Sequence, residues 1–467
     1  MEHRIVIIGG GPAGYEAALT GALYGADVTL VEEQGPGGNS VLTDCVPSKS
    51  FIAGANIKTE MRRADDMGLK TGDGIRIAID GLNDRVKELA YQQSADIRAG
   101  LQRAGVNLID GRAYFEAEKT NSLLHKVTIE HNDGSKHVVE CENVLIATGS
   151  SPRVLPNAKP DGDRIFNWKQ IYNLTELPEH LIVVGSGVTG AEFVSAFAEM
   201  GVHVTMVASR DRILPHDDAD AADTLETVLG ERGVDLVKDA RVDEVVNTGK
   251  GVVVRTQDGR EIHGSHALMS IGSIPRTQDL GLEKPGIELT PSGHIHVDRV
   301  SRTNVNGIYA AGDCTDLMPL ASVAAMQGRV AMYHALGEGV TPLRLKTVAQ
   351  AVFTRPEIAT VGVTEQQIKD GEVSARTITL PLKSNPRAKM RSLRHGFVKL
   401  FCREHSGLVI GGVIVAPNAS ELILPVALAV TNNLTVNNLA ETFAVYPSLS
   451  GSITEAGRRL VQHGDLD

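Results

Sequence analysis

A glycine-rich turn set between an apolar strand and an Ala-rich helix occurs twice in this chain. Arg4 to Ile8 is a short apolar run, followed by Gly9-Gly10-Gly11-Pro12-Ala13-Gly14, a helical stretch to about Tyr24 and a second strand from Asp27 to Glu32. The order then returns: Leu181 to Val184, Gly185-Ser186-Gly187-Val188-Thr189-Gly190, a helix to about Met200, and a strand from Val202 to Val207. Strand, tight turn, helix, strand is a βαβ unit, and its parallel strands must be covered by helices. Two copies this far apart are a duplicated fold unit, not a short-period repeat.

The chemistry of such turns is specific when strand and helix flank them. In the first, Gly9 permits the bend, Gly11 lets backbone approach a pyrophosphate, and Gly14 lets helix and strand pack closely. Pro12 and Ala13 open the helix, whose free N–H groups and dipole face phosphate charge. Glu32, closing the second strand, is placed to accept hydrogen bonds from a ribose. Gly185, Gly187 and Gly190 repeat the triplet, but the position matching Glu32 is Ala208, followed by Ser209 and Arg210. An acid there repels a 2′-phosphate, so its absence beside Arg210 favours NADP(H) or admits both NADP(H) and NAD(H). Arg212 is a second candidate for the phosphate. Two dinucleotide sites predict electron transfer. One nucleotide is the soluble reductant; the other is most simply a held flavin, FAD, which splits or relays a hydride.

The rest of the chain reads as ordinary globular structure. Residues 79–104 carry Ile79, Leu82, Val86, Leu89, Ile97 and Leu101, the spacing of an amphipathic helix. Residues 125–140 read as a hairpin turning at Asn132-Asp133-Gly134. Asn143 to Ala147 is a buried strand ending at Thr148-Gly149. Beyond 345, strand-like runs (396–402, 408–416) alternate with helical ones (420–431, 449–461) and no third glycine fingerprint appears, which predicts an α+β domain.

Charge and cysteine usage narrow the partners. A net charge of −11 argues against nucleic acid and anionic membrane surfaces. Hydrophobic residues at 42% and charged ones at 22% exclude wholesale disorder, collagen and coiled coil. Cys45, Cys141, Cys314 and Cys402 are far apart and form no CxxC, so neither a disulfide scaffold nor a zinc knuckle is expected, and a reducing compartment is. No apolar run approaches the about 18–20 residues that span a bilayer. The N-terminus lacks the pattern of a signal peptide. A cytoplasmic protein without stable membrane insertion is expected.

Taken together, these motifs resemble the class I flavoprotein disulfide reductases, the family of lipoamide dehydrogenase, and the resemblance covers essentially the whole chain. Gly9–Gly14 with Glu32 resembles the FAD fingerprint, Ala147-Thr148-Gly149 the family's ATG segment, and Tyr309-Ala310-Ala311-Gly312-Asp313 its second FAD motif, in which the Asp binds the ribityl chain. Gly185–Gly190 with Glu192 resembles the NAD(P) turn, and Val352-Phe353-Thr354-Arg355-Pro356-Glu357 the opening of the dimer-interface domain. The resemblance implies an α/β chain with two Rossmann-like domains and a C-terminal α+β dimerisation domain. Its FAD domain is 1–150 with 275–344, its NAD(P) domain 151–274 and its interface domain 345–467. It implies a homodimer in which each site borrows residues from the partner.

The departures carry the functional information. The family places a redox CxxxxC after a Gly-Gly pair. Here Gly37-Gly38-Asn39-Ser40-Val41-Leu42-Thr43-Asp44-Cys45-Val46-Pro47-Ser48-Lys49 has Ser40 where the first cysteine belongs. A disulfide needs two sulfurs, so this site cannot cycle between dithiol and disulfide. Near the C-terminus the family carries HxHP and a Glu that orients the second His; here Tyr446 and Gly451 stand in for that His and Glu. With a pKa near 10, an ordinary Tyr donates a proton but is a poor base near neutrality. Ser322 and Gln327 replace a His and a Glu frequent in the reductases, beside Ala321, so the flavin surroundings are less charged. Actinobacterial NAD(P)H:quinone reductases of this family share the single cysteine and the lost His and Glu, and the local strings resemble that group closely.

That resemblance implies hydride delivery from NAD(P)H to FAD and then electrons to a quinone. Lys49 is expected beside the flavin with Glu192 as partner, while Cys45 tunes the ring or packs. Tyr446 donates a proton from the partner subunit or shapes the pocket. Competing readings are a soluble transhydrogenase, a nucleotide-binding redox sensor and, last, a true dihydrolipoamide dehydrogenase. Cys141, Cys314, Cys402 and Trp168 read as packing, and the acidic run Asp217, Asp218, Asp220, Asp223 as a solvated loop entering a helix. His131 and His137 flank a turn without ligand spacing.

Overall fold

The computed structural model describes residues 3–64, 67–70, 76–116 and 124–461. By its contacts the chain divides into two compact units, 1–50 with 81–153 and 272–344, and 51–80 with 154–271 and 345–467.

The first unit is built on a seven-stranded sheet in the order Ile308–Ala310, Asn143–Ile146, Arg4–Ile8, Asp27–Glu32, Asn107–Tyr114, His125–His131, Lys136–Cys141. The first five strands are parallel, and the last two are the hairpin turned by 132–134. Ile5, Val6 and Ile7 are wholly buried because both faces of this strand are covered. On one face the helices Pro12–Leu23 and Ala321–Ala335 pack so closely that a Cβ at Gly328 would lie 2.1 Å from the Ala13 carbonyl oxygen. The C-terminal ends of the strands, at Ile8, Glu32, Ile146 and Ala310, gather at one edge of the sheet, where ligands bind in folds of this type.

The long helix runs Ile79–Arg103. Its buried stripe is Ile79, Asn83, Val86, Ala90, Ser94 and Leu101. Leu82 and Leu89, which the apolar pattern predicts inward, are only half-buried beside Asn83 and Ala90, and two polar residues, Asn83 and Ser94, lie in the stripe. Ser94 is accommodated because its hydroxyl donates to the Pro36 carbonyl at 2.6 Å, steadying the loop before Gly37.

The second unit holds a wholly parallel five-stranded sheet, Asp235–Val237, His203–Val207, His180–Val184, His266–Met269, Ile165–Asn167. A three-stranded antiparallel meander, Val242–Asn247, Val252–Thr256 and Glu261–Gly264, accompanies it. The C-terminal part is a five-stranded antiparallel sheet, Ala349–Val352, Glu357–Gly362, Val409–Ala416, Phe397–Arg403, Ala375–Pro381, whose core takes in Val426, Ile453 and Ala456 of its helices. The sequence division places 51–80 with the first domain. By its contacts this stretch sides with the second unit, because Phe51 is fully buried against Tyr172, Phe193 and Phe197.

The acidic run differs from its sequence reading. Asp218 caps the helix Ala219–Glu231, accepting from the Ala221 amide, and its side chain is 3% exposed. It faces Lys399, which is fully buried in the strand Phe397–Arg403 and is also paired with Asp220 and Glu365. Sequence spacing hides this, because the compensating cation lies on a strand far along the chain. Cys141, Cys314 and Cys402 are buried and Trp168 is 6% exposed, as packing residues should be. His131 and His137 hydrogen-bond to each other on the exposed hairpin.

Candidate active site: two nucleotide cradles

The first glycine turn closes on itself through contacts that tolerate no side chain. A Cβ at Gly14 would sit 1.8 Å from the Gly9 carbonyl oxygen, and one at Gly9 would sit 2.4 Å from the Ala147 oxygen, with φ at +101°. Gly11 is the opposite case: nothing lies within 4 Å of its would-be Cβ. Two glycines are therefore demanded by the protein itself, and the third faces open space over the helix N-terminus.

That space is a cleft of about 1000 Å³, part of it open to solvent. Gly9, Gly11, Pro12, Ala13, Glu32, Gly38, Thr148, Gly149, Gly312, Asp313 and Ala321 all line it. The structure thus brings together residues spread over more than half of the chain. Gly14 lies beneath the turn rather than in the wall. The Glu32 carboxylate accepts from the amides of Gly10, Gln34 and Gly35, which ties the strand end to the turn. A carboxylate offers about four lone-pair sites, so capacity remains for a ribose hydroxyl.

Asp313 accepts from the Ser150 hydroxyl at 2.9 Å, yet burial pushes its carboxyl above the usual range. A carboxylate kept at that cost in a cleft wall is suited to a ligand that brings hydroxyl donors. Gln327 fixes the segment carrying it: fully buried, it accepts from the Gly312 amide at 2.9 Å and donates to Thr315 Oγ1 at 3.4 Å. Helix N-terminus, open glycine, strand-end acid and buried carboxylate form the donor and acceptor set of a flavin dinucleotide, so the residues present fit FAD.

Sequence reasoning overlooked Arg276, Glu33, Asn39 and Ser150, which lie beside the anticipated Thr148. Thr148 donates to the Arg276 carbonyl at 2.6 Å, and the Arg276 guanidinium pairs with Glu33 at 3.0 Å at the cleft rim. Asn39 donates to the Ser150 carbonyl at 2.6 Å. These hold neighbouring loops together, and no local motif announces them. Ser40 lines the cleft, whereas Cys45 and Lys49, on the helix Cys45–Arg62, are not among its wall residues. Cys45 is partly buried.

The second turn repeats the geometry. A Cβ at Gly190 would lie 2.1 Å from the Gly185 oxygen, one at Gly185 would lie 2.3 Å from the Ser270 oxygen, and Gly187 has nothing within 4 Å. Ala208 is buried at the strand end, while Ser209 and Arg210 are exposed. Glu192 is buried on the helix Val188–Glu199 and accepts from the Phe353 amide at 2.9 Å. Tyr446, elsewhere in this unit, is 83% exposed and borders a surface pocket with Arg387, Arg391 and Leu422. No described helix is long and apolar enough to cross a membrane.

Comparison with known proteins agrees with this geometry. The profile of the pyridine nucleotide-disulphide oxidoreductases matches residues 3–328, and that of their dimerisation domain matches 348–457. The chain is 59% identical to the NAD(P)H dehydrogenase (quinone) of Mycobacterium tuberculosis, over all of this chain and 96% of that protein. It is 32% identical to a dihydrolipoyl dehydrogenase of Bacillus subtilis over 97% of each. Among solved structures, LpdA from Mycobacterium tuberculosis superposes with a TM-score of 0.95 at 59% identity, covering 98% of this chain and 100% of that one. The HOCl-induced flavoprotein disulfide reductase RclA of Escherichia coli follows at 0.85 and 25% identity, covering 98% of this chain and 99% of that one.

Proposed function

The chain belongs to the pyridine nucleotide-disulphide oxidoreductase family, and from that premise we propose that it is an FAD-dependent NAD(P)H:quinone oxidoreductase working without a disulfide relay. The observation that carries the proposal is the redox segment: Ser40 stands in the cleft wall where the first cysteine of the pair belongs, leaving Cys45 as its one cysteine, so the pair that defines thiol turnover is absent. Tyr446 and Gly451 in place of the expected His and Glu remove the base that such turnover needs. The relative at 59% identity is named for quinone reduction, while the dihydrolipoyl dehydrogenases stand near 32%.

When bound, FAD supplies hydride acceptance and onward electron transfer, chemistry no side chain here possesses. The protein contributes binding and orientation. Gly9, Gly11 and the helix from Pro12 hold the FAD pyrophosphate, Glu32 a ribose, and Asp313 the ribityl chain. Gly38, Thr148, Gly149 and Ala321 complete the wall. Gly185, Gly187 and Gly190 hold NAD(P)H, and Ser209 and Arg210 select the 2′-phosphate, which favours NADPH. Lys49 and Glu192 are assigned to balancing charge on the reduced ring. The Phe353 amide fixes the Glu192 carboxylate in one orientation.

The functional division is an FAD domain (1–150, 275–344), an NAD(P) domain (151–274) and an interface domain (345–467). The protein acts as a cytoplasmic homodimer. The dimerisation profile supports the homodimer, as do the side chains of Phe443 and Val445, left 102% and 78% exposed beside Tyr446. Tyr446 is assigned to the wall of the partner's acceptor pocket. The test is NADPH oxidation by the purified yellow protein with menadione or with lipoamide. Menadione reduction without lipoamide turnover is expected; lipoamide turnover overturns the proposal.

A further inference from the structure

Lys399 poses a question that the flavin and nucleotide cradles leave open. It lies in the strand Phe397–Arg403 with no exposed surface. Its ammonium donates to both oxygens of Asp218, at 3.0 and 2.9 Å, and pairs with Asp220 at 2.7 Å and Glu365 at 3.3 Å. The Phe397 ring lies 5.6 Å from it. Desolvating such a cluster is costly, and an apolar residue would fill the same space more simply, so a buried ion cluster is weak evidence for a role in stability alone.

What the cluster grips is the far end of the loop 209–217. The near end is fixed at Ala208, whose amide donates to Val237 and whose carbonyl accepts from Ala240. In the middle, the Leu214 amide donates at 2.8 Å to the carbonyl of Ser186, the residue between the first two glycines of the second turn. Leu214 takes a left-handed backbone, φ +46°, to do so. At the far end Asp218 both caps the helix Ala219–Glu231 and chelates Lys399. The loop carrying Ser209, Arg210 and Arg212 is therefore pinned to the nucleotide turn on one side and to the C-terminal sheet on the other.

We propose that Lys399 is a positioning residue for nucleotide recognition: through Asp218 it holds the 209–217 loop in the conformation that presents Arg210 to the 2′-phosphate of NADPH. The inference rests on the reading that this loop meets the adenosine ribose, and its test separates the two.

Calorimetric titration of the FAD-replete protein with adenosine 2′,5′-bisphosphate and with 5′-AMP reads loop order without turnover. Lys399→Met is expected to weaken the bisphosphate about five- to ten-fold, the cost of ordering a loop that is no longer held. Binding of 5′-AMP and FAD content should stay near wild type, and in turnover KM for NADPH should rise while kcat holds. Arg210→Ala is the control for the underlying reading: if it leaves bisphosphate affinity unchanged, that reading fails and the inference fails with it. If Arg210→Ala weakens the bisphosphate but Lys399→Met binds within about two-fold of wild type while folded, the positioning role alone is overturned. Should Lys399→Met not fold, Asp218→Asn carries the test, because an amide keeps the cap on the Ala221 amide but gives up the ion pair with Lys399. A selective loss of bisphosphate affinity supports the proposal, and unchanged affinity overturns it.

Discussion

Gly187→Ala separates what a glycine does for the fold from what it does for a ligand. The backbone there, φ −77° and ψ −172°, is one alanine adopts freely. The added methyl meets no protein atom within 4 Å. Gly187 is the N-cap of the helix Val188–Glu199, where alanine costs up to about 1 kcal/mol. The lost freedom of the unfolded chain returns about 0.4–1 kcal/mol. These effects nearly cancel, so Tm should stay within about 2 °C of wild type. The bound state differs. A methyl in the space over the turn keeps a pyrophosphate from the backbone N–H groups, and each charge-assisted hydrogen bond lost is worth about 1.5–3 kcal/mol. One bond lost therefore weakens NADP+ by roughly 10- to 100-fold.

Gly190→Ala is the contrast. Its methyl would sit 2.1 Å from the Gly185 oxygen and 2.9 Å from Ser270 Oγ, so backbone must move, at about 1–3 kcal/mol or more. Here Tm falls together with affinity. The assay is calorimetric NADP+ titration of FAD-replete protein beside a thermal melt. Gly187→Ala binding NADP+ within about three-fold of wild type would refute the reasoning, because the open space would then not be where phosphate sits.

Further outcomes follow from the same geometry. Burial raises the Asp313 carboxyl, so above its ordinary pKa the unfolded chain is ionised while the folded chain resists ionisation, and stability falls as pH rises through that window. Asp313→Asn should therefore raise the Tm of FAD-stripped protein at pH 7 by about 2 °C while weakening FAD about ten-fold; a lower apo Tm contradicts this. Burial pushes the thiols of Cys141 and Cys314 up to about 12 and about 11, so iodoacetamide at pH 8 should label Cys45 first, and mass spectrometry finding Cys141 modified in native protein would show this core to be open. Cys45→Ser should keep menadione kcat within about two-fold; a fall of about a hundred-fold returns thiol chemistry to the mechanism.

Much of this protein was legible one residue at a time. The strands Arg4–Ile8 and Asp27–Glu32 fall where the β-branched runs place them, because parallel strands buried on both faces must be almost wholly apolar. The hairpin His125–His131 with Lys136–Cys141 follows from its turn residues. The long helix was legible as an element and, at Ile79, Val86 and Leu101, in its buried face, but Ser94 is inward for a hydrogen bond that the apolar period cannot foresee.

The sequence by itself determined the two glycine turns, the lone Cys45 and the missing His and Glu, because each depends on residue type at a fixed local spacing. Backbone dihedrals and covalent chemistry act over a few residues, so such features survive in the linear text. Only the tertiary structure decided what sits opposite what. It set Asp313 against Ser150, Gln327 beneath Gly312, and Lys399 among Asp218, Asp220 and Glu365. Asp218 reads as solvated until Lys399 arrives from a strand nearly two hundred residues later. Burial and charge compensation are properties of proximity in space, and chain order does not encode proximity until the sheets have formed.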